Sequence, residues 1–381
     1  MYNGIQINSC GYFKFLDCDF IRATDLKEFS KPNKWVFYPE PGADYIEMFY
    51  ASHHNLVENC RFGKINHVAV LIEPFRQNEK RPAFNIVRNN VFSDTLWKCM
   101  GIHNSDHTLV ENNIFKGKTK NFIQFESHSV KLRKNLFIRQ RDIADIGGFS
   151  ENQFKGALLL KSGTNDKVIC NVVDNRIYNN LFYDNEWTTG CYSSTKPVLN
   201  NIFKNNIFYK NKQTIFFPWT DYSNTNKNYV FNNLIMGVSQ GEKLIKLASD
   251  SFSLSEAQNK LSHLYKDNFE ADPKFVNADK DDFTLQKGSP CIDKGMSLTV
   301  TASEGKGKEV SVADPLYFVD GYGIIGGDEI IVGSNKAVKI AEVDYDKKLL
   351  KVDTDISWKK GDAVNLVYSG AKPDIGPFEF K

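Results

Sequence analysis

Three titratable side chains stand at one distance from a recurring phenylalanine. Glu73, His103 and Glu126 each lie eleven residues after such a Phe. The phenylalanines are Phe62, Phe92 and Phe115. The positions ten and eight residues after each Phe are apolar, so strand alternation predicts that the apolar set points inward and the titratable set outward. Because neighbouring parallel strands lie about 4.8 Å apart, the three side chains would form one ladder on one face.

Lys161 extends this ladder in one of two registers. It follows the next comparable strand, the apolar run 157–160. If a shorter turn of seven residues follows Phe154, Lys161 stands in the same column. If Phe137 sets the count instead, Gly148 takes that place and Lys161 lies one coil further on. The sequence leaves both registers open.

An acid, an imidazole, an acid and an amine in one ladder are the groups that acid–base catalysis on a sugar chain would use. The alternative is a solvated ladder in which opposite charges pair without a chemical role. His128 lies two residues after Glu126 on the same outward side, where it would act as a general base or as a ligand for a substrate carboxylate. Its alternative is an ordinary turn histidine. The candidate catalytic residues are Lys161, His128, His103, Glu126 and Glu73.

The segment 116–141 is strongly basic. It contains eight Lys and Arg residues against the single acid Glu126, in a chain of formal net charge +2. Such a surplus favours polyanions. No nucleic-acid motif accompanies it, so we expect an acidic polysaccharide as partner and no nucleic acid. Arg133 and Arg139 of this segment, and also Arg76, are assigned to substrate binding; a solvated rim of basic turns is the alternative.

Three aromatic residues fall near the same face. Trp219 stands eleven residues after Phe208, and Tyr192 stands ten residues after Phe182. Together with Trp187 they are assigned to substrate binding, because sugar rings stack on aromatic faces. Interior packing is the alternative.

No metal site is predicted, and the cofactor is left open with calcium as the candidate. Turn carboxylates without a fixed Asp-Xaa-Asp spacing form only a weak calcium signal. They are Asp142, Asp145, Asp184 and Glu186. Seven cysteines without a Cys-Xaa-Xaa-Cys pair predict neither a disulfide framework nor a zinc site. Cys18 and Cys60 are interpreted as small buried residues at corners of the repeat.

A short repeat positions all these residues. The Val-Glu-Asn-Asn-Ile-Phe stretch at 110–115 returns in near-copies whose closing apolar residue falls at 62, 92, 115, 137, 182, 208 and 235. The interval of 45 is interpreted as two turns of about 22, with a weaker copy at 150–154. Such a period, built from β-branched and aromatic strands, is typical of a solenoid. Asn suits its corners, because it tolerates the left-handed conformation and its amide can bond from coil to coil. The pattern predicts an all-β fold, a right-handed single-stranded parallel β-helix.

The repeats over residues 10–240 resemble those of the pectin-lyase-like β-helix superfamily of carbohydrate-active proteins, and residues 374–379 resemble the closing segment of many bacterial β-helix proteins. The resemblance implies a bacterial protein that is secreted, periplasmic or on the cell surface. Residues 158–163 resemble the strand that carries a catalytic basic residue in the alginate and chondroitin lyase family. Ser127-His128 stands where that family has Asn-Lys.

Three functions are compatible with these features. The favoured one is a polysaccharide lyase that cleaves a uronate-containing glycan by β-elimination, which needs a base at C5 and neutralisation of the adjacent carboxylate. The second is a glycoside hydrolase with Glu73 and Glu126 as paired carboxylates. The third is a non-catalytic glycan-binding or adhesive solenoid, since fold does not determine function.

The chain is predicted to contain a β-helix over residues 1–295, a small antiparallel β module over 296–372 and a closing strand of the β-helix over 373–381. Alternating apolar and charged residues with Gly-Asp turns predict the module, and 254–261 is interpreted as a short surface helix. A monomer is expected. No apolar run reaches transmembrane length and no signal-peptide core is present, so we expect no membrane contact, and a leader and a cap that precede Met1.

Overall fold

Short strands wind through three parallel sheets over the first 271 residues. The computed structural model describes residues 4–21, 44–65, 67–74, 80–95, 97–141, 156–165, 168–193, 198–212, 215–217, 227–247 and 250–381. The chain forms two units, Met1–Ala271 and Asp272–Lys381.

The strands of the first unit follow the coils in chain order. The first three coils contain β1 (Ile5–Asn8), β2 (Lys14–Leu16), β3 (Asp19–Ile21), β4 (Ile46–Phe49), β5 (Leu56–Glu58), β6 (Arg61–Ile65), β7 (Val68–Glu73), β8 (Ile86–Arg88) and β9 (Val91–Thr95). The next two contain β10 (Lys98–Asp106), β11 (Leu109–Glu111), β12 (Ile114–Lys118), β13 (Asn121–His128), β14 (Lys131–Arg133) and β15 (Leu136–Arg141).

The remaining coils are less regular. They contain β16 (Gly156–Asn165), β17 (Val168–Cys170), β18 (Val172–Val173), β19 (Arg176–Tyr178), β20 (Leu181–Tyr183), β21 (Thr189–Ser193), β22 (Val198–Leu199), β23 (Ile202–Lys204) and β24 (Ile207–Tyr209). They continue with β25 (Ile215–Phe217), β26 (Tyr229–Phe231), β27 (Leu234–Met236), β28 (Ile245–Leu247), β29 (Asp250–Phe252), helix α1 (Leu254–Lys260) and β30 (Tyr265–Lys266).

Each sheet takes one strand from successive coils. Sheet A contains β1, β4, β7, β10, β13, β16 and β21 in spatial order, with β17, β18 and β22 attached beside this row. Sheet B contains β2, β5, β8, β11, β14, β19, β23, β26 and β30, and sheet C contains β3, β6, β9, β12, β15, β20, β24 and β27. All pairings along the three rows are parallel. The predicted parallel β-helix is confirmed.

Phenylalanine rings stack along the inner side of sheet C. Neighbouring ring centroids lie 4.6–5.0 Å apart, and neighbouring planes are within 9° of parallel. The rings belong to Phe20, Phe62, Phe92, Phe115, Phe137, Phe182 and Phe208. The predicted stack is therefore confirmed, and it places the closing Phe of each repeat in the core.

The two roles predicted for Asn, the left-handed corner conformation and the hydrogen bond between coils, belong to two adjacent residues of the repeat. The first, such as Asn89 or Asn112, has a φ of 57° or 55° and turns the corner. The second is buried, and its Nδ2 donates to Oδ1 of the Asn in the next coil at 2.9–3.0 Å. This asparagine ladder consists of Asn90, Asn113, Asn135, Asn180, Asn206, Asn233 and Asn268.

Helix α1 ends the asparagine ladder. Ser253 and Glu256 form a reciprocal capping box at its start, which stabilises a helix of only two turns. Gln258 of the helix presents its Oε1 to the backbone N–H of Asn268 at 2.8 Å. It thus supplies the acceptor that the next Asn of the ladder would have provided, and the short helix predicted over 254–261 is confirmed.

The interval of 45 residues between Phe137 and Phe182 is one coil and not two. β15 pairs directly with β20, and these two Phe residues are opposite each other. Asn135 donates directly to Asn180. The additional residues lie between β15 and β19, where β16 and β17 form an antiparallel hairpin. Counting repeats in the sequence cannot distinguish such an insertion from a further coil. The weaker copy of the repeat predicted at 150–154 lies outside the described residues.

The second unit is mainly antiparallel. It contains β31 (Phe275–Asn277), β32 (Asp282–Leu285), β33 (Thr299–Val300), β34 (Gly305–Ser311), β35 (Glu329–Val332), β36 (Val338–Asp344), β37 (Leu349–Trp358) and β38 (Ala363–Leu366), with 3-10 helices over Ala278–Lys280 and Pro315–Tyr317. β31 pairs with β32. The other six strands form one sheet in the order β33-β38-β35-β36-β37-β34. The predicted antiparallel module near the C-terminus is confirmed.

The predicted domain bounds differ from the division between the two units, which falls after Ala271. The bounds at 295, 296 and 372 stay predictions. Residues 373–381 contain no strand. Instead, the N–H of Ile375 donates to the carbonyl of Cys291 at 3.0 Å, so this closing segment is bonded within the second unit.

Replacing Phe115 with Ala should lower the free energy of unfolding of the β-helix by about 3–5 kcal/mol, because it opens a cavity in a continuous stack. Chemical denaturation of parent and variant measures the loss. Phe13, whose residue surface is 47% exposed, is the matched control, and Phe13→Ala should change stability by roughly 0.5 kcal/mol or less. Equal stability of the Phe115→Ala variant and the parent would contradict the stack.

Candidate active site

Four of the predicted catalytic residues meet on the outer side of sheet A. His103 of β10 is in register with Glu126 of β13. Glu73 ends β7, the neighbouring strand of β10. Lys161 of β16 follows the residue that pairs with Phe125, so it stands beside Glu126 in the next coil. The column obtained by counting from the phenylalanines is therefore present, and Lys161 belongs to it.

A hydrogen bond and an ion pair link the members of this outer ladder. Nδ1 of His103 lies 2.8 Å from Oε2 of Glu73, and Nζ of Lys161 lies 3.3 Å from Oε1 of Glu126. The side chains of His103 and Glu126 are only 5% and 1% exposed, whereas those of Glu73 and Lys161 are 21% and 27% exposed. The ladder is therefore not a solvated surface. A ligand can reach Lys161 and Glu73, while the other two members support them from inside.

A buried hydrogen-bond chain that the sequence analysis missed leads to Glu126. Nζ of Lys98 donates to Oε1 of Gln124 at 3.3 Å. The same amide donates through Nε2 to Oε1 of Glu126 at 2.5 Å. Because Lys98 can only donate, it fixes which end of the Gln124 amide faces Glu126. The carboxylate oxygen that Lys161 contacts thus also accepts a hydrogen bond from Gln124, which Lys98 orients.

Only one of these two residues had a sequence signal. Gln124 stands two positions before Glu126 in one strand, so alternation predicts the same outward side. Lys98 is the first residue of β10, and the next two residues, Cys99 and Met100, both lie in the core. The inward–outward alternation of side chains is interrupted at this corner. From the sequence, a lysine at the start of a strand is expected to be exposed, but Lys98 is buried.

Neighbouring positive charges determine the protonation state of Glu126. Burial raises the pKa of this carboxyl, but His103, Lys161 and Lys98 lower it, and so does the hydrogen bond from Gln124. The balance leaves the pKa below its ordinary value, so Glu126 is an ionised carboxylate at neutral pH. Lys98 shows the opposite balance, because complete burial lowers its pKa to about 8 although nearby carboxylates oppose the shift.

The outer side of sheet A also contains a carboxyl group whose pKa is raised. Glu47 of β4 is paired with Leu71, two residues before Glu73. Burial, with a hydrogen bond to Asp44, raises the pKa of Glu47 to about 8, while a hydrogen bond from Gln6 opposes the shift. The pKa values of two carboxyl groups on this side of the sheet are therefore shifted in opposite directions, upward for Glu47 and downward for Glu126.

Gly101 gives the imidazole of His103 room to lie against the sheet. A Cβ at this position would lie 3.2 Å from Nε2 of His103 and 2.7 Å from Cδ1 of Leu71. Nε2 of His103 is buried and has no hydrogen-bond partner among the described residues. The hydrogen bond of this ring to Glu73 is made through Nδ1, and the absence of a side chain at Gly101 leaves space for the ring.

The structure places His128 in a different cluster. It ends β13 in register with Asp106 and Val173, and its Nδ1 lies 3.5 Å from Nη1 of Arg81. A register shift in β10 between His103 and Asp106 separates this position from the ladder. Burial and the charge of Arg81 lower the pKa of His128. His128 is thus near the ladder along the strand but does not contact it.

Arg133 and Arg139 are not on sheet A. Arg133 belongs to sheet B, its side chain is 4% exposed, and it forms an ion pair of 2.7 Å with Glu111. Arg139 belongs to sheet C, where its guanidinium lies 5.4 Å from the ring centre of Tyr183. The basic residues of the segment thus lie on sheets B and C or between strands, and some are neutralised inside the protein, which a linear charge count cannot reveal.

Of the remaining predicted contacts, Arg76 and Trp219 lie outside the described residues. Tyr192 is in register with Lys161, and its side chain also lies outside the described part. Trp187 is half-buried and its carbonyl accepts from the N–H of Ala157 at 2.7 Å. The roles assigned to these four residues stay predictions.

No metal centre is formed by the described residues, among which no group of three or more His, Cys, Asp and Glu could hold an ion. Asp184 pairs with Arg141 at 2.6 Å and Glu186 with Lys212 at 3.3 Å. Asp142 and Asp145 lie outside the described part.

The family described as right handed beta helix region matches residues 1–137. The first unit of the chain is a right-handed parallel β-helix. Among solved structures, the pectate lyase Pel9A is similar with a TM-score of 0.44 and 14% identity, over 89% of this chain and 72% of that one. The complex of XylC with xylose is similar with a TM-score of 0.29 and 13% identity, over 86% and 67%. Likenesses this low carry no information on activity.

No curated protein matches the chain. In the described part of the chain, no helix has the length and apolar character needed to span a bilayer.

Replacing Lys98 with Met should change how stability depends on pH. The folded protein releases the Lys98 proton at a pKa of about 8, whereas an unfolded lysine keeps its proton to about pH 10.4. The unfolded chain then binds more protons between these values, so stability rises with pH there, by roughly 3 kcal/mol in total. The Lys98→Met variant should lack this rise in pH-dependent denaturation.

The control for this measurement is Lys212→Met, since the side chain of Lys212 is 72% exposed. Its pH profile should follow that of the parent. A Lys98→Met profile parallel to the parent above pH 8 would show that Lys98 titrates normally in the folded state.

Proposed function

We propose that this β-helix is a carbohydrate-active protein, and that the outer ladder of sheet A is the active site of a polysaccharide lyase for a uronate-containing glycan. One observation carries the proposal. The amine of Lys161, the most exposed member of the ladder, lies 3.3 Å from a buried carboxylate that its surroundings keep ionised. A secreted or surface location follows from a polymeric substrate of this kind.

In the proposed reaction, Lys161 first releases its ammonium proton to solvent, and its amine then removes the proton from C5 of the uronate. The electron pair of that C–H bond forms the C4–C5 double bond as the bond from C4 to the glycosidic oxygen breaks. The departing oxygen takes up a proton from solvent and becomes a hydroxyl group, while the ammonium formed on Lys161 returns the C5 proton to solvent. Glu126 fixes the position of Nζ, and the bonds from Gln124 and Lys98 fix Glu126, so the base is preorganised.

The uronate carboxylate needs a cation beside it, because elimination develops negative charge on that group. Arg81 is suited to this role, since its side chain is 40% exposed and pairs with Asp106 only at 3.6 Å. Its neighbour His128 shares strand β13 with Glu126. His128 lies two residues along this strand, about 6.6 Å, from Glu126 and on the same side of the sheet.

Hydrolysis with Glu126 as the general acid is less well supported. A hydrolase needs one carboxylic acid that holds its proton near neutral pH. The pKa of Glu126 is lowered, and its Oε1 accepts hydrogen bonds from Gln124 and Lys161. A carboxylate in this setting is a poor proton donor.

The first test is an activity screen on uronate and neutral polysaccharides, with two measurements on each sample. Ultraviolet absorbance detects the 4,5-unsaturated ends that only elimination makes, and a reducing-sugar assay detects either cleavage. We expect unsaturated ends from at least one uronate polymer, at a rate that rises with pH because the base must be neutral. Reducing sugar without unsaturated ends would identify a hydrolase, and binding without products a glycan-binding solenoid.

The second test separates two roles of Lys161. In Lys161→Arg the cation beside Glu126 is kept, but a guanidinium does not act as a base at these pH values. We expect kcat/KM to fall about 100-fold or more with the melting temperature unchanged. Lys212→Arg, in which another lysine lies 3.3 Å from a carboxylate, should retain the parental rate. A fully active Lys161→Arg variant would exclude Lys161 as the base.

A further inference from the structure

The first two coils depart from the asparagine ladder in one respect. Cys18 and Cys60 occupy the positions that Asn90 and Asn113 hold in later coils. The pairings on either side fix this register, since Leu16 is opposite Glu58 and Asp19 is opposite Arg61. The carbonyl of Cys18 accepts from the N–H of Arg61 at 2.9 Å, as that of Cys60 accepts from the N–H of Val91 at 3.0 Å. The two cysteines are therefore consecutive members of one column.

Both thiols have the same orientation. Sγ of Cys18 donates to the carbonyl of Leu16 at 3.2 Å, and Sγ of Cys60 donates to that of Glu58 at 3.3 Å, each two residues earlier. Sγ of Cys60 also lies 3.5 Å from the carbonyl of Phe15 in the preceding coil. The thiol of Cys60 thus points toward the first coil, and it interacts directly with the thiol of Cys18.

The spacing of the column suits a covalent bond. Neighbouring parallel strands lie about 4.8 Å apart, within the roughly 4.4–6.8 Å between Cα atoms that disulfides span. In the later coils, an amide-to-amide hydrogen bond connects each pair of coils. Two thiols offer only a weak donor and a weak acceptor, so this connection between the first and second coils is the weakest in the column while both are reduced.

We propose that Cys18 and Cys60 form an oxidation site that takes a low-molecular-weight disulfide, such as oxidised glutathione, and closes into a disulfide bond between the first and second coils. Cys18 is half-buried and Cys60 is buried, so attack begins at Cys18. Burial raises the pKa of Cys60 to about 11, which makes it the slower thiol and the one that reacts second.

The proposed thiol–disulfide exchange has two steps. The thiolate of Cys18 attacks one sulfur of oxidised glutathione, forms a mixed disulfide and releases one glutathione. The sulfur of Cys60, after losing its proton, attacks the Cys18 sulfur and expels the second glutathione. Two protein thiols are oxidised, one glutathione disulfide is reduced, and the two thiol protons end on the two glutathione molecules.

The experiment uses the full chain, first reduced and then incubated in its folded state with oxidised glutathione. Free thiols are alkylated after an acid quench, and peptides are mapped by mass spectrometry without reduction. We expect a cross-linked pair of peptides containing Cys18 and Cys60, and a melting temperature higher by on the order of a few degrees. Dithiothreitol should remove both effects together.

Two variants provide the matched controls. Cys18→Ser should abolish the cross-link and the rise in melting temperature. Cys10→Ser, which removes an exposed cysteine outside the column, should keep both. If the Cys18→Ser variant does not fold, reversal by dithiothreitol in the parent remains decisive. A Cys18–glutathione mixed disulfide that persists while Cys60 is alkylated would overturn the proposal, as would a parent in which both cysteines are alkylated.

Discussion

A continuous row of buried asparagine amides holds the coils of this protein at one strand spacing. Asn113 shows how it works, because its Nδ2 donates both to Oδ1 of Asn135 at 3.0 Å and to the carbonyl of Val87 at 2.9 Å. Each amide therefore connects three coils. Loss of one amide would leave buried groups unpaired, at about 1–3 kcal/mol each. The corner cannot shift by one residue without such a loss, so the positions that follow it remain in columns.

The outer ladder exists because of this register. His103, Glu126 and Lys161 come from coils that are far apart in the chain, yet each follows a corner that the row of amides has fixed. Burying charged groups outside the core is costly unless they are paired. Here Glu126 and Lys98 offset each other's burial cost, with Gln124 hydrogen-bonded between them, and Lys161 further offsets the cost of Glu126. The least buried members of the network are the ones that a ligand can reach.

Counting from the repeated Phe could predict the ladder, since the path from sheet C to the next strand of sheet A has one length at Glu73, His103 and Glu126. The same count could not determine the register of Lys161, because the coil of 45 residues contains an insertion about as long as one further coil. The sequence also could not predict which charged side chains are buried. A charge count made Arg133 an open surface residue, whereas its ion pair with Glu111 lies inside sheet B.

Gln258 has a consequence for how this solenoid can change in length. Its Oε1 supplies the acceptor that a further Asn would have given to Asn268, so helix α1 acts as a terminator for the repeat. Duplication of an internal coil would add one amide to the row and leave the terminator intact. A coil added after Asn268 would displace Gln258 and would need a terminator of its own. We therefore expect this architecture to gain and lose coils from within, with its C-terminal helix kept in place.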